Sequence, residues 1–290
     1  MSVRILSFTL IIFLSAFFVF AVDAQELSLQ LNTGLMNYAG DLQPKGFTFS
    51  GSQLTGGAAA MVRVNHFALR VGFNYGNVQG DDKHTVNKVR NLNFKSAIAE
   101  FNGCLQYDII SPDRDLKIIP YVFAGAGIFH FNPYTYYDSV KVYLQPLGTE
   151  GEGLPGTPSR NYYKLTDFEA LAGLGFIYKL SSNWKIGLEF CSRFLRTDYL
   201  DDVSRSYPNR DKLLSAHGKL AVDVSFRGDE LNPNLTFPSG KKRGNPQNND
   251  NYYTSVLTVT YTFPKISLFN SGNGAFGHNR HYLDCPKKLK

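Results

Sequence analysis

Apolar and polar residues alternate with period two in eight separate stretches of the chain. This pattern sends successive side chains to opposite faces of a β-strand. In 26–37, Leu27, Leu29, Leu31 and Leu35 alternate with Ser28, Gln30, Asn32 and Gly34. In 67–76, Phe67, Leu69, Val71, Phe73 and Tyr75 alternate with Arg70, Gly72, Asn74 and Gly76. Segment 96–109 sets Ala97, Ala99, Phe101, Leu105 and Tyr107 against Glu100, Asn102, Cys104 and Gln106. Segment 118–131 collects Ile119, Tyr121, Phe123, Phe129 and Phe131 on one face. Segments 167–180, 184–196 and 252–263 repeat the pattern, and 56–65 is its weakest instance.

The polar face of these strands is mostly Gly, Asn, Thr and Ser rather than Lys and Glu. Small polar side chains suit the crowded lumen of a narrow barrel better than the wet face of a sandwich. The strands run to about ten residues or more, the length a tilted membrane crossing needs. The connections alternate too. Asn65-His66, Ser111–Asp115 and Ser181-Ser182-Asn183 are short, whereas 38–54, 77–93, 132–164 and 198–251 are long. Short periplasmic turns and long extracellular loops are the rule for outer-membrane barrels. The fold expected is therefore all-β, an eight-stranded antiparallel transmembrane outer-membrane β-barrel with both termini in the periplasm. On that assignment Phe67, Tyr107, Tyr178, Trp184 and Phe263 form a periplasmic aromatic girdle, and Tyr75, Phe131 and Phe168 an outer one.

The N-terminus adds a targeting signal. Arg4 precedes an apolar run from Ile5 to Val22, and Val22-Asp23-Ala24 has the small residues a signal peptidase reads. Residues 1–24 are expected to be a signal peptide, 25–263 the barrel and 264–290 a periplasmic tail. The formal charge of +6 is modest and scattered, which excludes a nucleic-acid footprint. Aromatic content of 14% suits a barrel with interfacial girdles.

Several side chains are candidates for chemistry. Arg63, Arg70, Glu100, Asp108, Glu169, Lys179, Glu189 and Arg193 fall on the lumen face, where mixed-sign charges need partners. They read as a network filling a closed lumen rather than as a channel or a carboxylate pair. Cys104 and Cys191 lie inside on strands too far apart for a bridge and are expected to be free. Cys285 lies in the tail, in an oxidising compartment, where it either bonds a partner or stays a thiol. Asp198, Asp201 and Asp202 could hold Ca²⁺, but their spacing is not that of an EF-hand and no metal or cofactor is expected. His130 has no Ser or Cys nucleophile near it in the pattern. Lys241-Lys242-Arg243 is a short basic patch that would meet anionic headgroups or solvent.

Particular strings go further. They are Gly40-Asp41-Leu42, Arg90-Asn91-Leu92-Asn93-Phe94, Phe123 through Pro133 and Leu144-Gln145-Pro146-Leu147-Gly148-Thr149-Glu150-Gly151. To these are added Asn183-Trp184, Thr197 through Ser204, Tyr207-Pro208, Arg243-Gly244-Asn245-Pro246 and Cys285-Pro286-Lys287. Together the chain resembles the PorG family of the type IX secretion system over most of its mature length. The resemblance implies a non-enzymatic outer-membrane component, associated with the periplasmic ring of the PorK lipoprotein and PorN. That machinery exports proteins with a C-terminal sorting signal and in some bacteria serves gliding motility. Cys285, Pro286 and Lys287 would face the ring. The alternatives are a paralogous barrel without a secretion role, an outer-leaflet enzyme built around His130 and Asp198, and a small passive pore.

Overall fold

The structure, a computed structural model, describes residues 26–45, 48–49, 51–111, 116–154 and 161–264. The expected signal peptide and the tail with Cys285, Pro286 and Lys287 lie outside the described residues. Five strands come first: β1 (Glu26–Ala39), β2 (Gln53–Val64), β3 (Phe67–Asp81), β4 (Asn93–Asp108) and β5 (Ile118–Phe131). A short hairpin follows, β6 (Tyr134–Tyr137) and β7 (Val140–Tyr143), then β8 (Thr166–Lys179) and β9 (Trp184–Leu195). A helix, α1 (Arg210–Ser225), precedes the last strand, β10 (Asn251–Thr262).

Eight of these strands close on themselves. The circuit runs β1, β2, β3, β4, β5, β8, β9, β10 and back to β1, every pair antiparallel. The closing seam pairs Ser28 with Thr262 at one end and Ala39 with Asn251 at the other. Closure gives every strand a hydrogen-bonded neighbour on both sides, which a lipid surround requires. No described helix is long and apolar enough to cross a membrane. The spans agree with the periodicity to within a few residues, and the weak stretch 56–65 proves to be β2.

The outer wall is apolar. Leu31 and Leu257 are each 63% exposed, and Phe73, Phe101, Leu105, Phe176 and Leu188 are exposed with them. At the short-turn end Phe67, Tyr107, Tyr178 and Trp184 are exposed as expected, with Phe67 and Tyr107 rings 5.2 Å apart and Trp184 and Tyr261 rings 4.9 Å apart. Tyr75 and Phe168 are exposed near the long-loop end.

Phe131 is not in that girdle. It is fully buried, as are Phe129, Ile119, Tyr121 and Phe123, so the aromatic face of β5 points into the lumen. Both faces of β5 are apolar, with Val122, Ala124, Ala126 and Ile128 on the other side, so alternation alone does not say which face turns inward. Volume decides it. Phe123 lies opposite Gly173 and Tyr121 opposite Gly175 in the β5–β8 register. A Cβ on Gly173 would sit 2.3 Å from the Phe123 ring, and one on Gly175 2.4 Å from the Tyr121 ring. The glycines leave the gap that the large rings fill, and the smaller side chains are left to face lipid.

Gly173→Ala should therefore cost stability. The new methyl meets both the Phe123 ring and the Phe190 carbonyl oxygen, at 2.4 Å. Overpacking of this kind costs about 1–3 kcal/mol. It would be read as a lower urea midpoint for barrel unfolding in lipid vesicles, and a midpoint equal to that of the wild type would refute the packing argument.

Candidate functional site

The lumen is filled in tiers of paired charge. At the short-turn end Lys185 Nζ lies 2.7 Å from Glu26, and Arg63 pairs with Asp108. Midway, Arg70 lies 2.5 Å from Glu189 and stacks over Phe123 at 4.4 Å, while the Tyr121 hydroxyl donates to Glu189 at 3.0 Å. Towards the long-loop end, Arg193 Nε lies 3.1 Å from Glu100. The Tyr252 hydroxyl sits 2.9 Å from Glu100 and 2.6 Å from Glu169. The expected lumen charges are thus buried in mixed-sign networks, apart from Lys179, which is half-exposed at a strand end. Sequence reading passed over Glu26 and Lys185 as lumen partners; both lie close to strand ends, where the pattern is short. Cys104 and Cys191 are buried and free.

Above the lumen the long loops fold down together. One hydrophobic cluster joins lumen residues Met36, Phe94, Phe129, Phe131 and Tyr252 to loop residues Leu42, Leu144, Leu200, Val203 and Val224. The mouth is therefore closed by packed side chains. Helix α1 supplies Val224 to this cluster, and its N-terminus is capped by Asn209, whose side chain accepts from Lys212 N. Neither α1 nor the β6–β7 hairpin shows in the periodicity of the long loops. The helix is weakly amphipathic and broken at Gly218, which has a φ of +84°.

A buried polar knot ties the loops. Arg243 bonds Glu150 at 3.2 Å and lies 3.5 Å from Asp202, and its Nε donates to the Ser225 carbonyl at 3.2 Å. Glu150 in turn accepts from the backbone N–H groups of Ser204 and Arg205, at 2.9 and 2.8 Å. Asp202 accepts from Thr149 at 2.5 Å and from the Tyr163 hydroxyl at 2.8 Å. Arg90 forms a two-pronged pair with Asp82, at 2.7 and 2.8 Å, and reaches the carbonyls of Asp41 and Arg243. Asp41 accepts from Asn245 N at 2.6 Å. Five of the segments singled out by resemblance (40–42, 90–94, 144–151, 197–204 and 243–246) thus contribute to one place, whereas Asn183-Trp184 lies at the short-turn end. Arg243, expected in a surface patch, is fully enclosed there, because its guanidinium is the counter-ion of Glu150 and Asp202. Lys241 and Lys242 remain exposed.

The acids outnumber these two arginines. Tyr38 places its hydroxyl 2.5 Å from Asp201 and 3.0 Å from Asp250. Asp201 also accepts from Val203 N, and Asp250 from Leu200 N. One phenol hydrogen serves only one carboxylate, so the second contact needs a proton on the acid. Burial, then their mutual charge, pushes Asp250 well above the carboxylate range, and burial does the same to Asp201. Asp198 is buried as well. Desolvation first, then the charges of Asp41 and Glu150, raise it to about 8. Glu152 is raised to about 7 by burial and by Asp202 and Glu150. Asp198, Asp201 and Asp202 are thus not drawn to a common point. Asp201 turns to Tyr38, Asp202 to Arg243, and no group of three metal-ligating side chains is found among the described residues. His130 is exposed on the wall, its Nδ1 2.9 Å from Thr166 Oγ1.

The closed circuit, apolar wall and packed polar lumen define the fold of an outer-membrane β-barrel protein. Residues 4–145, short of half the chain, match a family model described as a domain of unknown function, DUF6089. No curated protein matches the chain. Among solved structures it is similar to Neisserial surface protein A, at 9% identity over 82% of this chain and 97% of that one, with a TM-score of 0.40. It is also similar to Ail, the attachment invasion locus protein of Yersinia pestis, at 8% identity over 82% and 98%, with a TM-score of 0.39. The outer membrane protein OprG from Pseudomonas aeruginosa matches at 10% identity over 83% and 96%, with a TM-score of 0.38.

The raised acids set a pH dependence. Asp198 in the unfolded chain ionises near pH 4, about the ordinary aspartate value. In the folded cap it ionises near pH 8. Folding therefore holds a proton through that window, and cap stability falls as pH rises across it. Asp198→Asn should raise the melting temperature more at pH 8.5 than at pH 5. A gain independent of pH would show that Asp198 is already ionised in the fold.

Proposed function

We propose that this protein is a non-enzymatic scaffold of the outer membrane, the barrel component of a type IX secretion machinery. In this reading the long loops face outward and the short turns and both termini face the periplasm. The Cys285-Pro286-Lys287 tail then contacts a ring of PorK-like lipoprotein and PorN-like protein. The observation that carries the non-enzymatic part is the occupancy of the barrel. Its lumen is packed with paired charges and aromatic rings, and the loop cluster packs across its mouth. The carboxylates that could serve in acid–base chemistry are committed to the knot or enclosed within it. Function then falls to the two ends and the outer wall. The secretion assignment draws on the family resemblance, several of whose loop strings contribute side chains to the knot.

Removal of residues 284–290 should weaken recovery of the ring proteins from solubilised outer membranes while the barrel keeps its heat-modifiable migration. Cys285→Ser, compared under non-reducing conditions, separates a covalent bond from simple docking. Ring proteins recovered at wild-type levels from both variants would eliminate the tail as the contact. A scaffold without a secretion role would leave the recovered partners unrelated to sorting-signal export.

Orientation has its own test. Thr236 is exposed on the fourth long loop, and Ser182 on a short turn. In a Cys285→Ser background, Thr236→Cys should react with an impermeant maleimide on intact cells, and Ser182→Cys only after the outer membrane is opened. The reverse pattern would invert the barrel.

A further inference from the structure

The enclosure of Arg243 leaves only Lys241 and Lys242 exposed in the basic patch that the sequence placed against lipid headgroups or solvent. Cations do meet the wall of the barrel at another place. The β6–β7 hairpin continues the wall beyond β4 and β5, with Tyr134 registered against Lys95 of β4. Its strands pair Tyr134 with Tyr143 and Tyr136 with Lys141. Thr135 and Val142 are buried, and Thr135 donates to Asn93 Oδ1 at 2.7 Å, so the alternate residues face outward.

That outward face is a cluster of three tyrosines and a lysine. Lys141 Nζ lies 3.9 Å from the Tyr134 ring centroid and 4.8 Å from that of Tyr143. Tyr134 meets Tyr136 and Tyr143 edge-on at 5.9 and 6.0 Å. The rings hold the ammonium by its charge; one N–H reaches Tyr143, and the exposed Lys141 keeps its other donors towards solvent. Lys95 is exposed beside it, and Lys164 is exposed two residues before Thr166 of β8. Below this row the wall turns apolar, with Phe101 and Phe168 half-exposed on either side of Ile128 in the β4–β5–β8 register. His130 lies between the two zones. Three acids lie nearby: Asp138, exposed at the hairpin turn, Asp223, which pairs with Lys219 and accepts from the Tyr137 hydroxyl, and Glu230, which pairs with Arg227.

Tyrosine rings and lysine stems that begin where an apolar wall ends sit at the depth of lipid headgroups. We propose that Lys95, Lys141 and Lys164, with the hydroxyls of Tyr134, Tyr136 and Tyr143, bind the phosphate of an outer-leaflet glycolipid headgroup. Continuity with the lipid-facing wall places a lipid there; Asp223 and Glu230 already have Lys219 and Arg227 as bases, so three ammonium groups stand against Asp138 and select an anionic lipid. The site rests on the long loops facing outward. It is independent of any secretion role, so loss of either reading leaves the other standing.

The test uses the full chain in nanodiscs and native mass spectrometry. The probes are lipid A, dephosphorylated lipid A and phosphatidylglycerol. Wild type should retain lipid A in preference to the other two. Each lysine near an anionic surface contributes about 1 kcal/mol, so the Lys95→Gln/Lys141→Gln/Lys164→Gln variant should bind on the order of a hundredfold more weakly. Lys241→Gln/Lys242→Gln should bind as wild type does. Where the triple variant fails to fold, judged by heat-modifiable migration, Lys141→Gln alone should weaken binding about fivefold. Equal retention of lipid A by the lysine variant and wild type would overturn the proposal. Retention of dephosphorylated lipid A or phosphatidylglycerol as strong as that of lipid A would overturn it as well.

Discussion

A backbone in hydrocarbon cannot leave its N–H and C=O groups unpaired, and this requirement orders the rest of the structure. It forces the sheet to close, and closure joins the first strand to the last through the β1–β10 seam. A closed sheet has an inside too small for water to solvate many charges freely. Every ion in it must then find a counter-ion or a hydroxyl within reach, as Arg70 does in Glu189 and Arg193 in Glu100. Large rings must find glycines opposite them, as Phe123 and Tyr121 do. The paired lumen and the ring-over-glycine packing are thus two consequences of one condition.

The same condition explains which parts were legible in the amino-acid sequence. A wall facing lipid on one side and a polar lumen on the other writes itself as alternation, so strand spans, strand number and the inward course of Arg63, Glu100 and Arg193 could be read directly. β5 broke the rule because both of its faces are apolar. Which face turned inward depended on the glycines of β8, a neighbour far along the chain, and a single strand carries no record of its partner's volume. The long loops escaped for a different reason. Their packing is set by side chains that meet across sequence separations such as the 93 positions between Glu150 and Arg243, with no local period to announce them. Arg243 looked like one of three exposed bases until its two carboxylates were placed beside it.

The cap is more than a cover. Its acids exceed its arginines, and burial makes ionisation costly for those left without a base. Asp201 and Asp250 resolve this around Tyr38 by sharing a phenol hydrogen and a proton, whereas Asp82, Glu150 and Asp202 resolve it with guanidinium. The loops are therefore bound by two kinds of contact that differ in their response to the medium: ion pairs that persist at neutral pH, and proton-dependent contacts that do not persist in alkali. The strings singled out by resemblance include Arg90, Glu150, Asp201, Asp202 and Arg243 but not Tyr38, Asp82 or Asp250.

Tyr38 is the last but one residue of β1 and Tyr252 the second of β10, and the register sets them side by side across the seam. Tyr38 reaches up to Asp201 and Asp250 in the cap, and Tyr252 reaches down to Glu100 and Glu169 in the lumen. Asp250 stands just before β10, so the Tyr38–Asp250 contact exists only where β1 and β10 are paired. Seam and cap are therefore coupled: loosening the join between the first and last strands also releases part of the polar packing of the loops. The join that shuts the wall is in this way also a hinge-pin of the lid above it.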